Sequence, residues 1–484
     1  MNLVELLAIQ VDKQPDHPAI LGPKDDQALS YKQLMDRIQT RAQELTSAGL
    51  RAGHCVGLHI PSGTEYVILT YAVWQCGASV VPLAMELTPG EKQHICREIC
   101  LNAILTDPTS SALFSEVGDG AGIPLGAGLE LLPTRCMRAQ PPQFSTINAA
   151  FLRFTSGTTG NAKGVILSHE TIYDRISAAN EGLRLGPSDR VIWLLSMSYH
   201  FAVSIVAYLS YGATFVLCKN HFGGTLVKTA AERKGTLIYG SPVHYELMAH
   251  DKSGTLLPEL RLAISTAASL DHKTAEAFRA RFDKALNEAY GIIEIGLPCI
   301  NLDAAERKPG SVGRPLPAYE LRMQDIGLGE NHLAIQIRGQ GILDAYYDPW
   351  KPRSEIMEDG WFSTGDLGRV DAEGYLYIHG RSKEMINVGG MKFFPQEVEG
   401  VLESHPAVKE ACVFGHPHER FGEVPFAHIV LANQQDGGVT EEKLKAYCAA
   451  RMAAFKKPEK IVFVNTLART ASGKVIREPT RLAR

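Results

Sequence analysis

The sequence predicts an α/β protein, and two features of the chain carry that expectation. Over residues 1–110, amphipathic helical stretches alternate with short apolar runs, the pattern left by strands joined through helical crossovers over a mainly parallel sheet. Further on, Ala149 to Phe154 and Val165-Ile166-Leu167 are apolar runs of strand length on either side of a loop dense in glycine and hydroxyl residues. At 484 residues, 45% of them hydrophobic, the chain can bury a large core and is long enough for two or more domains.

In chain order, Tyr31 to Ala48 repeats apolar residues at Leu34, Ile38, Ala42 and Leu45 and ends at Gly49, which predicts a helix closed by a C′ glycine. Cys55 to Ile60 predicts a strand, Pro61-Ser62-Gly63 a turn, Glu65 to Cys76 a helix and Ala78 to Leu83 a further buried strand. Residues 107–148, rich in Gly, Pro and Ser, read as a loop region. Ser168 is placed to cap a helix opening at His169-Glu170. Val191 to Cys218 is almost free of charge, but its serines, threonines and Gly212 favour strand, loop, helix and strand inside a core over a membrane span.

Composition narrows the function classes. A formal net charge of −4 argues against nucleic acid as the main partner. The nine cysteines form no CxxC pair. Cys96 and Cys100 beside His94 are read as ordinary buried thiols in preference to a metal pair, and a reducing cytoplasm is the expected setting. The N-terminus lacks the basic and apolar regions of a signal peptide, and the C-terminus carries no peroxisomal or lipidation address.

The chemistry centres on Phe154 to Gly164. Thr155, Ser156, Thr158 and Thr159 supply hydroxyls, Gly157, Gly160 and Gly164 let backbone approach a ligand, and Lys163 adds a mobile positive charge. Successive N–H groups in such a turn form an anion-binding nest. The Walker A order does not fit, because Ala162 follows Gly157 by five residues and Lys163 precedes a glycine. The residue order resembles instead the phosphate-binding signature of the acyl-adenylating superfamily, which includes acyl-CoA synthetases, peptide-synthetase adenylation domains and beetle luciferases. Ala28-Leu29-Ser30-Tyr31 through Val81-Pro82-Leu83 is similar to that family's opening segment.

Further motifs follow in that family's order. Ser198-Tyr199-His200-Phe201-Ala202 resembles the stretch that lines the acyl pocket; His200 alone would read as a satisfied core histidine, and the other motifs make it a pocket residue. The carboxylate-free run from Trp193 to Tyr211 argues against an α-amino acid, whose buried ammonium needs a counter-charge. The small-residue turn at Ala267-Ala268 is expected to border adenine and the acyl group. Tyr290, Gly291 and Glu294 match Tyr-Gly-x-Thr-Glu, with Ile293 in place of threonine. The resemblance puts Tyr290 and Gly291 at the nucleotide, Ile292 and Gly296 at the acid, and Glu294 with Thr159 at Mg²⁺. Thr364-Gly365-Asp366 resembles the ribose motif, where an ionised Asp366 accepts from both hydroxyls, and Arg381 reaches ribose or phosphate. Lys383 stands at the hinge. Gly389 and Gly390 would admit the pantetheine arm of CoA, and Arg469-Thr470-Ala471-Ser472-Gly473-Lys474 supplies the adenylation lysine, Lys474, with Ala468 where proline is usual.

The resemblance implies a large N-terminal domain over 1–380, including a small β-barrel subdomain near 311–380, and a small mobile α+β domain over 381–484. It implies ATP-dependent activation of a carboxylic acid, aromatic or short, to acyl-AMP with Mg²⁺, followed by transfer to CoA. Loading of a carrier protein is the second acceptor left open, as is a monomer or a homodimer. A nucleotide-binding protein that has lost catalysis is supported only by Ile293 and Ala468, and Lys474 argues against it.

Overall fold

The computed structural model describes residues 1–24, 28–155, 163–328, 332–432, 438–469 and 475–477. The chain divides into two compact units, Met1–Glu320 with Ile337–Phe362 and Leu321–Gln336 with Ser363–Arg484.

The first unit holds two nine-stranded sheets. In one, Leu262–Ser265, Leu237–Gly240, Arg190–Trp193, Thr214–Leu217 and Pro18–Leu21 run parallel through the centre, with Asn287–Ile292 and Gly296–Ile300 forming an antiparallel hairpin towards one edge. In the other, Ala149–Thr155, Ser79–Pro82, Cys55–Leu58 and Ala103–Thr106 are parallel neighbours. Lys163–Ser168 returns antiparallel to Ala149–Thr155. The sheets are therefore mixed, parallel only where helices make the crossovers. The hairpin connections are too short to carry a parallel crossover.

Local signals hold where they were strong. Helix Tyr31–Ser47 opens with a Ser30 capping box and buries Leu34, Ile38, Ala42 and Leu45, and Gly49 closes it at φ +99°. Val191 to Cys218 is strand, short helices and strand; among the described residues no helix is long and apolar enough to cross a membrane. Residues 107–148 differ from the expected loop: Ile123–Leu125 and Leu129–Pro133 pair with each other, and Leu129–Pro133 also pairs antiparallel with Ala103–Thr106. Their three- and five-residue apolar runs were hidden among glycines and prolines.

That antiparallel register also corrects the reading of Cys100. Ala103 faces Pro133, so three residues further out on each side Cys100 meets Cys136, and the two form a disulfide. Cys96 remains a buried thiol. With a disulfide present, the cysteine count no longer speaks for a reducing compartment. No group of three His, Cys, Asp or Glu that could hold a metal occurs among the described residues.

Helix Thr64–Gln75 buries every residue from Tyr66 to Trp74, as a helix that is apolar all round must. The Trp74 indole N–H donates to the Ala150 carbonyl at 2.7 Å, and Tyr66, Tyr71 and Trp74 gather round Phe201 with ring centroids 5.7, 6.2 and 5.9 Å away.

Residues 319–381 form a four-stranded sheet in the order Tyr319–Gln324, Leu333–Gly339, Phe362–Val370, Leu376–Arg381. In the second unit a five-stranded sheet pairs Val408–His418 with Gly422–Leu431, flanked by Ile386–Val388, Met391–Phe393 and Lys460–Phe463. Val398 and Leu402 from helix Pro395–Glu403 and Leu444 from helix Glu441–Ala449 join its core.

The aromatic layer makes a stability prediction. Trp74→Ala is expected to lower the unfolding free energy by about 3–5 kcal/mol, whereas Leu256→Ala, at a position 65% exposed, shifts it by no more than about 0.5 kcal/mol. Urea titrations check this; equal midpoints for the two variants would remove Trp74 from the centre of the packing.

Candidate functional site

The loop 156–162 is carried by a hairpin whose last described pair is Thr155 opposite Lys163. Gly164 has to be glycine, because a Cβ there would lie 2.9 Å from Tyr347 Cβ and 3.1 Å from the Phe154 ring. Lys163 starts the returning strand with its ammonium 4.5 Å from the centroid of Tyr346. The strand runs directly into helix His169–Leu183, where Ser168 Oγ accepts the Thr171 N–H at 3.0 Å. The Asp344 carboxylate accepts the Ser168 N–H at 2.6 Å and pairs with Arg353 at 3.0 Å.

Tyr199 and His200 end the short helix Met197–His200, both half-buried. The His200 ring lies 6.5 Å from Trp193 and 6.4 Å from Tyr239. Phe201 is fully buried; it supports this wall from the aromatic layer behind it. Tyr199 packs against Arg153, whose Nη1–H donates to the Tyr199 carbonyl at 2.6 Å and whose guanidinium carbon is 5.2 Å from the tyrosine ring centroid. Burial pushes the Tyr199 phenol up to about 12, so it stays protonated at neutral pH.

Strand Leu262–Ser265 leads into Thr266-Ala267-Ala268. Ala267 has φ +73°, a left-handed backbone that is uncommon for alanine and typical of strained functional turns; Ala268 is exposed. Glu294 lies in the turn between strands Asn287–Ile292 and Gly296–Ile300. That turn is tight: a Cβ on Gly291 would come within 2.3 Å of the Gly296 carbonyl oxygen, and Gly296 has φ +82°. Tyr290 is buried and Ile292 half-buried on the same hairpin. The Glu294 carbonyl accepts from Arg175 Nη2 and from the Leu343 N–H, both at 2.8 Å. Its carboxylate is half-buried, with no hydrogen bond or ion pair among the described residues. Arg175 also donates from Nε to the Gly341 carbonyl. Its aliphatic stem fills the space a Cβ would need at Gly296 (3.1 Å) and at Gly341 (2.5 Å). Burial pushes its guanidinium down to about 10, still charged at neutral pH.

In the second unit Asp366 and Arg381 are cross-strand partners, with Arg381 Nε 3.1 Å from the buried Asp366 carboxylate. The Asp366 N–H donates to Thr364 Oγ1 at 3.1 Å. Lys383 is exposed in the short turn Ser382–Glu384. Gly389 and Gly390, at φ +59° and +92°, make the exposed turn between Ile386–Val388 and Met391–Phe393. The Gly390 N–H donates to Asn387 Oδ1 at 3.0 Å and the Gly389 N–H to the Phe421 carbonyl at 2.8 Å.

The structure thus places Tyr199, His200, Arg153, Tyr290, Ile292, Glu294 and Gly296 in the first unit, and Asp366, Arg381, Lys383, Gly389 and Gly390 in the second. Ser156, Gly157, Thr158, Thr159, Gly160 and Lys474 lie outside the described residues, and of Thr155 only the backbone is described.

This arrangement has counterparts among known proteins. The AMP-binding enzyme family matches residues 7–347, and the AMP-binding enzyme C-terminal domain matches 397–474. The chain belongs to the AMP-binding enzymes. It is 30% identical to a sulfoacetate–CoA ligase of Cupriavidus necator, over 98% of this chain and 96% of that protein. It is 28% identical to a 2-succinylbenzoate–CoA ligase of Bacillus cereus, over 96% and 95%. The ATP-bound crystal structure of MatB from Rhodopseudomonas palustris superposes with a TM-score of 0.85 at 27% identity, covering 98% of this chain and 97% of that one.

Three residues beside these positions of the AMP-binding enzyme escaped the sequence reading. Arg153 interrupts the apolar run Ala149 to Phe154, a visible signal that strand patterning absorbed. Arg175 sits in an ordinary amphipathic helix, and only the tertiary structure shows its carbonyl partners. Glu288 precedes Tyr290 by two residues on the same strand; burial pushes its carboxyl up to about 7 against the Gly310 N–H that donates to it at 2.8 Å.

Glu288 generates a pH prediction. The folded carboxyl keeps its proton to higher pH than the unfolded chain's ordinary 4.5. Folding is therefore favoured most below that value, and the advantage is lost as pH climbs through about 7. Between pH 5 and pH 8 the wild-type protein should lose about 1–3 kcal/mol more stability than Glu288→Gln. Urea unfolding of both at each pH checks this; parallel pH profiles would contradict it.

Proposed function

We propose that this enzyme activates a small carboxylic acid, short or aromatic, by the route the site residues suggest. Its class is that of an AMP-forming acid–CoA ligase, with ATP and CoA as substrates. A carboxylate resists nucleophilic attack because its charge repels the nucleophile and oxide is a poor leaving group. Attack of one carboxylate oxygen on the α-phosphorus of ATP forms acyl-AMP as the bond to pyrophosphate breaks. The CoA sulfur then attacks the acyl carbon and AMP departs.

The observation that carries the proposal is the Glu294 turn. A tight hairpin, clamped by Arg175 through the Glu294 carbonyl, presents a half-buried carboxylate that makes no hydrogen bond or ion pair with a described side chain. A lone carboxylate suits Mg²⁺, which is commonly held by one or two carboxylates together with substrate phosphates and water. Bound there with Thr159, Mg²⁺ would offset negative charge on the phosphates. The loop at 155–160 offers N–H and hydroxyl donors, Lys163 a cation, and Tyr290, Gly291 and Ala267 the nucleotide's flat surroundings. The paired Asp366 and Arg381 suit ribose hydroxyls and phosphate. Lys474 is assigned to hold the carboxylate and α-phosphate together, an effect of positioning as much as of charge. Lys383 is the hinge, His200 and Tyr199 wall the acid, and Gly389-Gly390 face the thiol. The named relatives are CoA ligases, which favours CoA over a carrier protein as acceptor.

Two variants separate the half-reactions. Lys474→Ala should abolish pyrophosphate release yet leave thioester formation from supplied acyl-AMP within about threefold of wild type; equal loss of both would sink the lysine's role. Gly390→Trp, a bulky side chain at a left-handed exposed turn, should spare pyrophosphate release and suppress thioester formation, and normal thioester yield would remove the channel assignment. Mass spectrometry of products from a carboxylic-acid library with ATP, Mg²⁺ and CoA names the acid; acyl-AMP without a CoA adduct would reassign the acceptor.

A further inference from the structure

Arg153 is a charge without an explanation in the chemistry above. Its Nε is sealed from solvent with no hydrogen-bond partner among the described residues. Nη1 is engaged only by the Tyr199 carbonyl. No carboxylate lies within ion-pair distance of it among the described residues, and the adjoining loop 156–162 contains none in its sequence. Glu294, Tyr199 and Tyr66 are the ionisable groups that act on its charge, and burial pushes the guanidinium down. Glu294 is the one carboxylate among them and stands beyond ion-pair distance, and holding a cation in such surroundings with only a remote counter-charge is costly.

The side of the strand on which Arg153 lies narrows the choice of partner. Its neighbours Leu152 and Phe154 pack into the hydrophobic core with Ile166 and Tyr347, so alternation along the strand turns Arg153 to the opposite face. There it meets Tyr199, in the segment read as the acid's wall. That wall carries no carboxylate from Trp193 to Tyr211. A planar guanidinium matches the forked oxygens of a carboxylate or sulfonate.

We infer that Arg153 is a specificity-determining residue that binds a second anionic group, carboxylate or sulfonate, on the acid undergoing activation. The preferred substrates are then short acids with an anionic far end rather than monoacids. The inference rests on the acid-ligase reading and narrows it. ATP's own phosphates are the competing source of the same chemistry, and the experiment separates the two.

The wild-type enzyme comes first. Pyrophosphate release is measured with acids paired by length: malonate and sulfoacetate against propionate, succinate against butyrate, and each dicarboxylate against its mono-methyl ester. The dianionic member should exceed its partner in kcat/KM by about 100-fold, the range of a buried charge-assisted hydrogen bond. In Arg153→Met the preference should collapse to within about threefold while KM for ATP is unchanged, and Arg153→Lys should keep part of it. No preference for the dianion in the wild type overturns the inference and leaves the ligase reading standing, provided some acid, such as benzoate, is activated. A preference kept in Arg153→Met alongside a raised KM for ATP assigns the guanidinium to the nucleotide and also overturns it. An equal loss for both members of each pair, with the urea midpoint preserved, points to the reacting carboxylate instead and overturns it as well. Pyrophosphate release with no acid of any kind brings down the ligase reading and this inference together.

Discussion

The buried guanidinium of Arg175 is the tie on which the first unit's site depends. It sits on the helix that continues the strand leaving the loop 156–162, and it holds two carbonyls from distant parts of the chain, Glu294 and Gly341. The two glycines whose backbones crowd its stem, Gly296 and Gly341, both take left-handed conformations. The packing therefore works both ways: the arginine fixes the turns, and the turns leave room only for the arginine. The Asp344–Arg353 pair adds a second fastening at the helix start. As a result the loop-bearing hairpin and the Glu294 turn are registered to each other through one side chain and one capped helix. The buried charge is held by two fixed backbone acceptors, on Nε and Nη2, while its buried Nη1 has no partner among the described residues.

A second constraint is the aromatic layer. Helix Thr64–Gln75 cannot move without breaking the indole hydrogen bond to Ala150 and three ring contacts to Phe201. Because Phe201 directly follows His200, the segment 199–200 is anchored at its C-terminal end in this aromatic layer. The anchored residue is buried, and its two predecessors reach the half-buried surface. Core and site are thus consecutive residues of one segment, separated by the turn from helix into the 3₁₀ stretch at Phe201–Val203.

Much of this was readable in the sequence. Helix Tyr31–Ser47 followed from apolar spacing and caps. The hairpin about residues 156–162 and the Gly389-Gly390 turn followed from glycines flanked by strand-forming residues. The motif residues Asp366 and Arg381 proved to be cross-strand partners, which motif order alone does not state. What failed had physical causes. Antiparallel edge strands at 123–133 are too short to show a period above their glycine-rich surroundings, and the Cys100–Cys136 bond depends on their register. Arg175 and Arg153 are defined by what they face, and a one-dimensional pattern records only that an arginine occurs. The motif also put Phe201 in the pocket with Tyr199 and His200, whereas Phe201 is fully buried in the aromatic layer.

With Tyr199 and His200 as the proposed wall of the acid, the division of the segment 199–201 sets where selectivity can be altered. Tyr199 and His200 extend from a support that does not change when they do, while Phe201 is part of the support itself. Diversity introduced at the first two positions, and at Ala268 and Ile292, would alter the shape offered to the acid on an intact scaffold. The same diversity at Phe201 would mostly yield proteins that no longer fold.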